Sequence, residues 1–417
     1  MNDYECILHL ILDMGTAMIQ SGAETHRVED SLYRLLESYG FAECNVWVVP
    51  TNIQATVIAP DGVCLTQIRH IRRSGIDFAA LDDLNTLSRR ACSERLIPSA
   101  FSAQLAGIVR RSRPRGWISY LAGALAGGGF GVFFNCDPAD AVAAVCTSLL
   151  VTFLSRYISQ REHNPLISNF VIAFIAELFI LFSVSNGLGH HGGYVAAGVV
   201  MLLISALGTT NGVRDLIALD TLSGIMNISL SLTGAMGIAM GIALPLQLLS
   251  HQEISDIMML NPDIRIQLAA CTIGCLGFSL WFRVKRRHIL WCTLGAFVTW
   301  LAYALCFLWR ASNFQASLAG AVVCALFSQI MARVNKAPTT IFQTVSVFPV
   351  IPGAALYYCM YGFVIGDFRF ACENGFSLLL SCFGIVLGFL LVQVISRFIW
   401  PAAAFKSEAS GCKHSLF

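Results

Sequence analysis

The sequence predicts a mainly α, polytopic membrane protein: about ten transmembrane helices as two five-helix inverted repeats, plus a small N-terminal α+β domain. Three observations predict it. Apolar residues make up 56% of the 417-residue chain and charged residues 12%, about half the charged share of an average soluble protein. Charge is also unevenly divided, with 8 Lys/Arg against 13 Asp/Glu in residues 1–109 and 19 against 12 in residues 110–417. Behind residue 115, apolar runs of spanning length follow one another. A globule this apolar could not cover its surface with polar groups, so much of it must face lipid. The apolar excess excludes a disordered chain, and a net charge of only +2 excludes a nucleic-acid binder. Fifteen cysteines, odd in number and mostly inside apolar runs, read as small core residues with no CxxC pair among them.

The front part, residues 1–109, reads as a soluble cytoplasmic domain of helix-helix-strands-helix order. Tyr4, Ile7, Leu8, Ile11, Met14 and Met18 fall at three- and four-residue steps, which gives a helix with one apolar face. A second helix over 25–39 buries Val28, Leu32, Leu35 and Leu36 and stops at Gly40. The period then changes to strands over 46–49, 54–59 and 63–71, with Pro60-Asp61-Gly62 as a tight turn. A last helix covers 77–96. The opening residues lack a basic n-region and an apolar h-region, so no signal peptide is expected. The densest polar cluster is Glu24, His26, Arg27, Glu29 and Asp30, at the start of the second helix. Acidic residues in a first turn suit the helix dipole; contact with the membrane part or with a ligand is the other reading.

Ten apolar runs follow, at 116–134, 138–156, 166–185, 191–207, 222–246, 266–282, 289–309, 313–332, 340–364 and 375–398. The fifth and ninth are long and contain Gly or Pro, so either could be broken or tilted. With the front domain inside, 16 of the 19 Lys/Arg behind residue 109 fall on the inner side: Arg110, Arg111, Arg113, Arg115, Arg156, Arg161, Arg214, the 283–287 cluster, Arg333, Lys336, Arg397, Lys406 and Lys413. Only Arg265, Arg310 and Arg369 fall outside, where Glu253, Asp256 and Asp263 make one loop acidic. Both termini are therefore expected inside. The acidic loop divides the spans into modules 110–250 and 251–400, followed by a tail, 401–417. Each module carries a glycine-rich motif ending in Asp: Gly208-Thr-Thr-Asn-Gly-Val-Arg-Asp-Leu-Ile-Ala-Leu-Asp220 in the first, and Pro352-Gly353 through Gly366-Asp367 in the second. A five-span unit crosses an odd number of times, so its copy enters from the opposite side, a recurring transporter architecture.

These residues resemble a known family. The segment Ser21-Gly-Ala-Glu-Thr-His-Arg-Val-Glu-Asp30, the turn Val48-Val-Pro-Thr-Asn52 and the motif Asn211-Gly-Val-Arg-Asp-Leu-Ile-Ala-Leu-Asp220 look like the first module of the threonine/serine exporter family. Lys336-Ala-Pro-Thr-Thr340, Val347-Phe-Pro-Val-Ile-Pro-Gly-Ala-Ala-Leu-Tyr357 and Gly366-Asp367 look like its second module. The resemblance covers about residues 5–398. It implies efflux of small polar metabolites, threonine or serine first, across the bacterial inner membrane and driven by the proton motive force. The split form of the family is associated with succinate export, so a dicarboxylate is the alternative cargo. One departure concerns symmetry: a Pro-Gly break like Pro352-Gly353 is expected before the first motif, and only Gly208 stands there.

Physical chemistry points to the same positions. A zwitterion or anion crossing lipid needs polar partners at depth, where irregular backbone must line a cavity. Arg214 suits a substrate carboxylate, and Asp215, Asp220 or Asp367 an ammonium group or a coupled proton; the plain alternative is that these residues cap helices. Glu177, in the middle of the third span, should face the bundle interior, where a protonated carboxyl suits proton coupling. Asn227, Gln329 and Gln343 read as polar contacts between helices. Gly123, Gly127, Gly128, Gly129 and Gly131 read as a close-packing seam, and Trp281 and Trp300 as interfacial anchors. His190-His191 reads as a solvated loop.

No catalytic, cofactor or metal motif and no phosphate loop is found, so neither an enzyme nor an ATP-driven pump is expected. A membrane-bound hydrolase with its site in residues 1–109 is the rival class. The expected partners are a small-molecule substrate, protons and the bilayer, without nucleic acid; a homo-oligomer stays open.

Overall fold

The computed structural model describes residues 3–71, 75–111, 116–158, 161–162, 164–204, 206–217, 219–250 and 260–399. Arg113, Arg115, Glu253, Asp256, Lys406 and Lys413, which enter the charge comparison, and the tail 401–417 lie outside the described residues.

In the N-terminal region, α1 (Asp3–Gln20) and α2 (Thr25–Ser38) pack on an antiparallel meander of β1 (Glu43–Val49), β2 (Asn52–Ile58) and β3 (Cys64–His70). Leu8, Ile11, Met14 and Met18 of α1 and Val28, Leu32, Leu35 and Leu36 of α2 share one core, as their spacing predicts. β2 alternates, turning Ile53, Ala55 and Val57 into that core. The register pairs Val49 with Asn52, so Pro50-Thr51 forms a two-residue turn. At the next turn Gly62 has φ +83°, which glycine reaches without a Cβ clash, and Asp61 accepts a 3.1 Å hydrogen bond from Val63 N. Two helices follow where the periodicity shows one, α3 (Phe78–Glu94) and α4 (Pro98–Arg111). α4 buries only Phe101 and Leu105, too short a stripe for a 3.6-residue pattern to stand out.

Among the described residues, eight helices are long and apolar enough to cross a membrane, or ten spans if each of two bent pairs counts as one. The first half comprises α5 (Gly116–Phe133), α6 (Pro138–Ile158), α7 (Pro165–Ser185), the pair α8 (Gly192–Leu203) and α9 (Ala206–Ile217), and α10 (Thr221–Pro245), which continues into a π-helical turn. The second half comprises α11 (Ile264–Trp281), α12 (Arg286–Leu308), α13 (Asn313–Asn335), the pair α14 (Thr339–Val347) and α15 (Gly353–Ile365), and α16 (Phe368–Ile399). The fourth span of each half is the bent one, by 53° and 58°. In the second half Pro352 pushes Ile351 to extended backbone, φ −63° and ψ 126°, because the residue before proline avoids the helical region. In the first half Ile204 is extended without a proline, φ −75° and ψ 129°. The backbone break is thus present in both halves, although only one carries Pro-Gly.

Packing repeats with the halves. α7 lies on α10 as α13 lies on α16, and α9 on α10 as α15 on α16. Across the halves α10 meets α15 and α16 meets α9, the reciprocal exchange that a pseudo-two-fold axis produces. The α5 glycines form the close seam: a Cβ on Gly129 would lie 2.6 Å from Gly274 N of α11. One expectation is corrected, since Trp300 is not an interfacial anchor. It is buried, donates from Nε1 to Gln267 Oε1 at 3.2 Å, and packs edge-on against Phe133. Its indole N–H finds a partner inside, which lets the ring enter the core.

The acidic front docks on basic helix ends. Asp77 pairs with Arg283, Lys285 reaches Asp82 at 2.7 Å and Asp83 at 2.6 Å, and Arg287 reaches Asp82 at 2.7 Å. Phe78 N also donates to Phe282 O at 3.0 Å. The uneven charge division therefore makes two complementary surfaces.

Candidate functional site

The two half-spans α9 and α14 face each other beneath the N-terminal region and enclose a cavity of about 240 Å³. α9 contributes Asn211, Arg214 and Asp215, α10 contributes Asn227, and α14 contributes Thr340, Gln343 and Thr344. The fourth wall is the linker before α2, with Glu24 turned into the cavity. Its geometry has a local cause: Gly22 has φ +90°, and the turn swings Glu24, at the N-cap of α2, away from the front core.

Glu24 Oε1 lies 3.1 Å from Arg214 Nη1 and accepts from Thr340 Oγ1 at 3.4 Å, so one carboxylate oxygen touches both membrane halves. Its Oε2 faces Arg27 Nε at 3.2 Å and His26 Nε2 at 3.7 Å. Burial alone would raise the Glu24 carboxyl, but Arg214, Arg27 and His26 outweigh it and hold the group well below its ordinary value. Burial lowers His26. On the other side, Arg214 Nη2 is 3.9 Å from Asp215 Oδ1, and Asn227 Nδ2 donates to Asp215 Oδ2 at 3.0 Å. The side chains of Glu24, Arg214 and Asp215 are only 10%, 14% and 11% exposed. The cavity adjoins a wider vestibule of about 960 Å³, with Asp220, Gln329 and Lys336 in its wall.

The predicted site residues thus fall in different places. Arg214 and Asp215 meet in the cavity, on a helix rather than in the loop expected between spans. Asp220 borders the vestibule and caps α10 through Ser223 N at 3.4 Å. Asp367 sits at the opposite end of the bundle, exposed, and caps α16 through Phe370 N at 3.0 Å. Glu177 is buried inside α7, and its Oε2 has no hydrogen-bond partner among the described residues; it does not line the cavity. Asn227 and Gln343, read from sequence as polar helix contacts, are cavity groups. Glu24 belonged to a visible polar cluster, but no local signal ties it to Arg214, 190 residues away. His190 and His191 pair with Asp137 at 2.6 Å and Asp140 at 3.0 Å. Asp137, Asp140 and His190 place one potential metal ligand each within 4.8 Å of one another, but the His190 ring already bonds Asp137, and Asp140 already accepts from the His190 and His191 backbone N–H groups.

A bundle of two halves, each with a broken fourth span, around a buried charged cavity defines a multi-pass membrane transporter. The threonine/serine exporter (ThrE) family models match residues 9–249 and 267–395. The chain belongs to that family, and its role is that of an exporter. It is also 23% identical, over 389 residues, to a "Probable threonine/serine exporter" of Mycobacterium tuberculosis (strain ATCC 25618 / H37Rv), covering 87% of this chain and 70% of that protein. No solved structure matches it.

Proposed function

We propose that the chain is a secondary exporter of threonine and serine, with the cavity around Arg214 as its substrate site. The observation that carries this reading is the charge content of the cavity: one guanidinium between two carboxylates, Glu24 and Asp215. A zwitterion satisfies such a site, with its carboxylate on Arg214 and its ammonium on Asp215. A dicarboxylate would bring two negative charges to one cation and two fixed anions, which electrostatics disfavours. The volume of about 240 Å³ is below the range of drug-sized ligand pockets, and Thr340, Gln343 and Thr344 offer partners for a substrate hydroxyl. Membership of the threonine/serine exporter family and the name of the mycobacterial relative support the same cargo.

In this mechanism Glu24 occupies the substrate's place on Arg214. The incoming carboxylate displaces it, the N-terminal linker releases its hold on Thr340, and the two halves rock about the filled site. Glu177 carries the coupled proton, and Asp220 and Asp367 stand at the inner and outer mouths of the path. The basic residues face the cytoplasm, with both termini, in the inner membrane. Residues 1–109 act as a cytoplasmic cap on modules 110–250 and 251–400. Proteoliposomes loaded with labelled threonine, serine or succinate, with and without an imposed proton gradient, test the reading. Gradient-driven movement of the two amino acids is expected, lost in Arg214→Gln and Asp215→Asn and reduced in Asp367→Asn. Transport of succinate alone, or full activity in Arg214→Gln, would refute it.

A further inference from the structure

A second charged cavity lies where the inner ends of α5, α6, α11 and α12 meet the N-terminal region. Its volume is about 560 Å³, and Arg111, Arg156, Arg283, Lys285 and Arg286 line it with no acidic residue among the described residues of its wall. Two of these cations are committed to docking, Arg283 to Asp77 and Lys285 to Asp82 and Asp83. Arg111, Arg156 and Arg286 have no carboxylate partner among the described residues. Arg156 is held in place by Gly116 O and Ser119 Oγ, both at 3.2 Å, and Ser155 and Thr152 add hydroxyls to the wall. Three arginines without a carboxylate partner line one cavity together, and an anion bound there would relieve the repulsion among like charges. Guanidinium groups bind phosphate oxygens two at a time, and hydroxyls complete such a site.

The surroundings identify the carrier of that phosphate. On three of the lining helices a large apolar side chain lies one turn deeper than a cavity residue and is exposed on the outside of the bundle. Leu121 follows Ile118 on α5, Phe153 precedes Arg156 on α6, and Leu290 follows Arg286 on α12, at 44%, 52% and 72% exposure. Residues three and four apart share a helix face, so each cavity position continues into a lipid-facing apolar one. Cations at the level of the span ends with apolar surface directly below match an amphiphile with an anionic head and acyl chains. We infer that this cavity binds the headgroup phosphate of an anionic glycerophospholipid of the inner leaflet, with Arg156 and Arg286 as its principal ligands. The bound lipid would bridge α6 of the first half to α12 of the second, beside the contacts that hold the N-terminal cap.

The test uses the purified full-length chain in a neutral detergent, with the thermal midpoint read during titration. Phosphatidylglycerol, phosphatidylcholine of the same chain length and inorganic phosphate are the three probes. Phosphatidylglycerol is expected to raise the midpoint saturably, while the other two leave it unmoved. Arg286 is exposed and makes no ion pair among the described residues, so Arg286→Gln should fold normally and weaken the apparent lipid affinity about tenfold, as loss of one charge-assisted contact would. Adding Arg156→Gln should remove the remaining shift. An equal shift with phosphatidylcholine, an equal shift with inorganic phosphate, or an undiminished phosphatidylglycerol shift in Arg286→Gln would each overturn the proposal. Threonine binding to the Arg214 cavity is a separate readout, so the two sites fail or stand independently.

Discussion

Replacing Glu24 by Gln separates the proposed displacement mechanism from a merely structural salt bridge. At 3.1 Å and an effective dielectric constant of about 20, the attraction between Glu24 and Arg214 is about 5 kcal/mol before desolvation is subtracted. Much of that is offset by burying both groups, and Asp215 at 3.9 Å continues to compensate Arg214 once Glu24 is neutral. A net loss of roughly 2 kcal/mol of native stability is therefore expected, below the 3–5 kcal/mol of a fully orphaned buried charge. The effect on substrate has the opposite sign, because threonine no longer has to evict a carboxylate. KM for threonine should fall by about tenfold or more, the equivalent of about 1.4 kcal/mol of removed competition. The pair should not titrate in the working range. The folded Glu24 lies below its ordinary value of 4.5, so its stabilising contribution is present above that value and lost only as pH falls through the lowered one. The ratio of KM between parent and Glu24→Gln should accordingly stay constant from about pH 6 to 8. The assay is inward-side binding and counterflow of labelled threonine in proteoliposomes, with thermal unfolding as the stability control. A raised KM in Glu24→Gln, or binding lost as completely as in Arg214→Gln, would refute displacement and make Glu24 a substrate ligand.

Three other outcomes are expected. Glu177→Gln should keep threonine counterflow and lose accumulation driven by a proton gradient; unchanged gradient-driven transport would remove Glu177 from coupling. Gly129→Ala should lower stability by about 1–3 kcal/mol, read as a fall in the unfolding midpoint, because its Cβ would meet Gly274 backbone at 2.6 Å with no side chain to move aside. His190 should titrate above its ordinary 6.5 because of its hydrogen bond to Asp137. The pair stabilises the loop below that value and is lost as pH rises through the elevated one. Histidine NMR in micelles should show the raised midpoint, and Asp137→Asn should return it toward 6.5.

Most of the architecture was legible in the chain because its causes are local. A lipid solvent demands about twenty apolar residues per crossing, and those runs can be counted. Period 3.6 in 4–18 and the strand pattern in 54–59 each reflect one face meeting one core. Pro352-Gly353 announces a break because proline acts on its own neighbour. The break at Ile204 has no such signature, since no proline or glycine follows it directly and the residue is buried among others that the fold brings together. α4 escaped for a similar reason, its two buried residues being set by what α1 and α3 leave open.

The candidate site divides along the same line. Residue types suited to a polar substrate at depth could be picked out, and Arg214 and Asp215 meet in the cavity. Inversion of the repeats, however, sends Asp220 and Asp367 to opposite ends of the bundle, although their motifs look equivalent in one dimension. Glu24 is the clearest case. In the chain it is one acidic residue near a helix start, for which the helix dipole is a sufficient explanation. Its place on Arg214 follows from docking an acidic front on basic helix ends, and that docking joins residues about two hundred positions apart. Composition and periodicity are properties of short segments and survive without the fold. Charge pairing across the cavity is a property of distance in space, which exists only once both halves and the cap have closed around it.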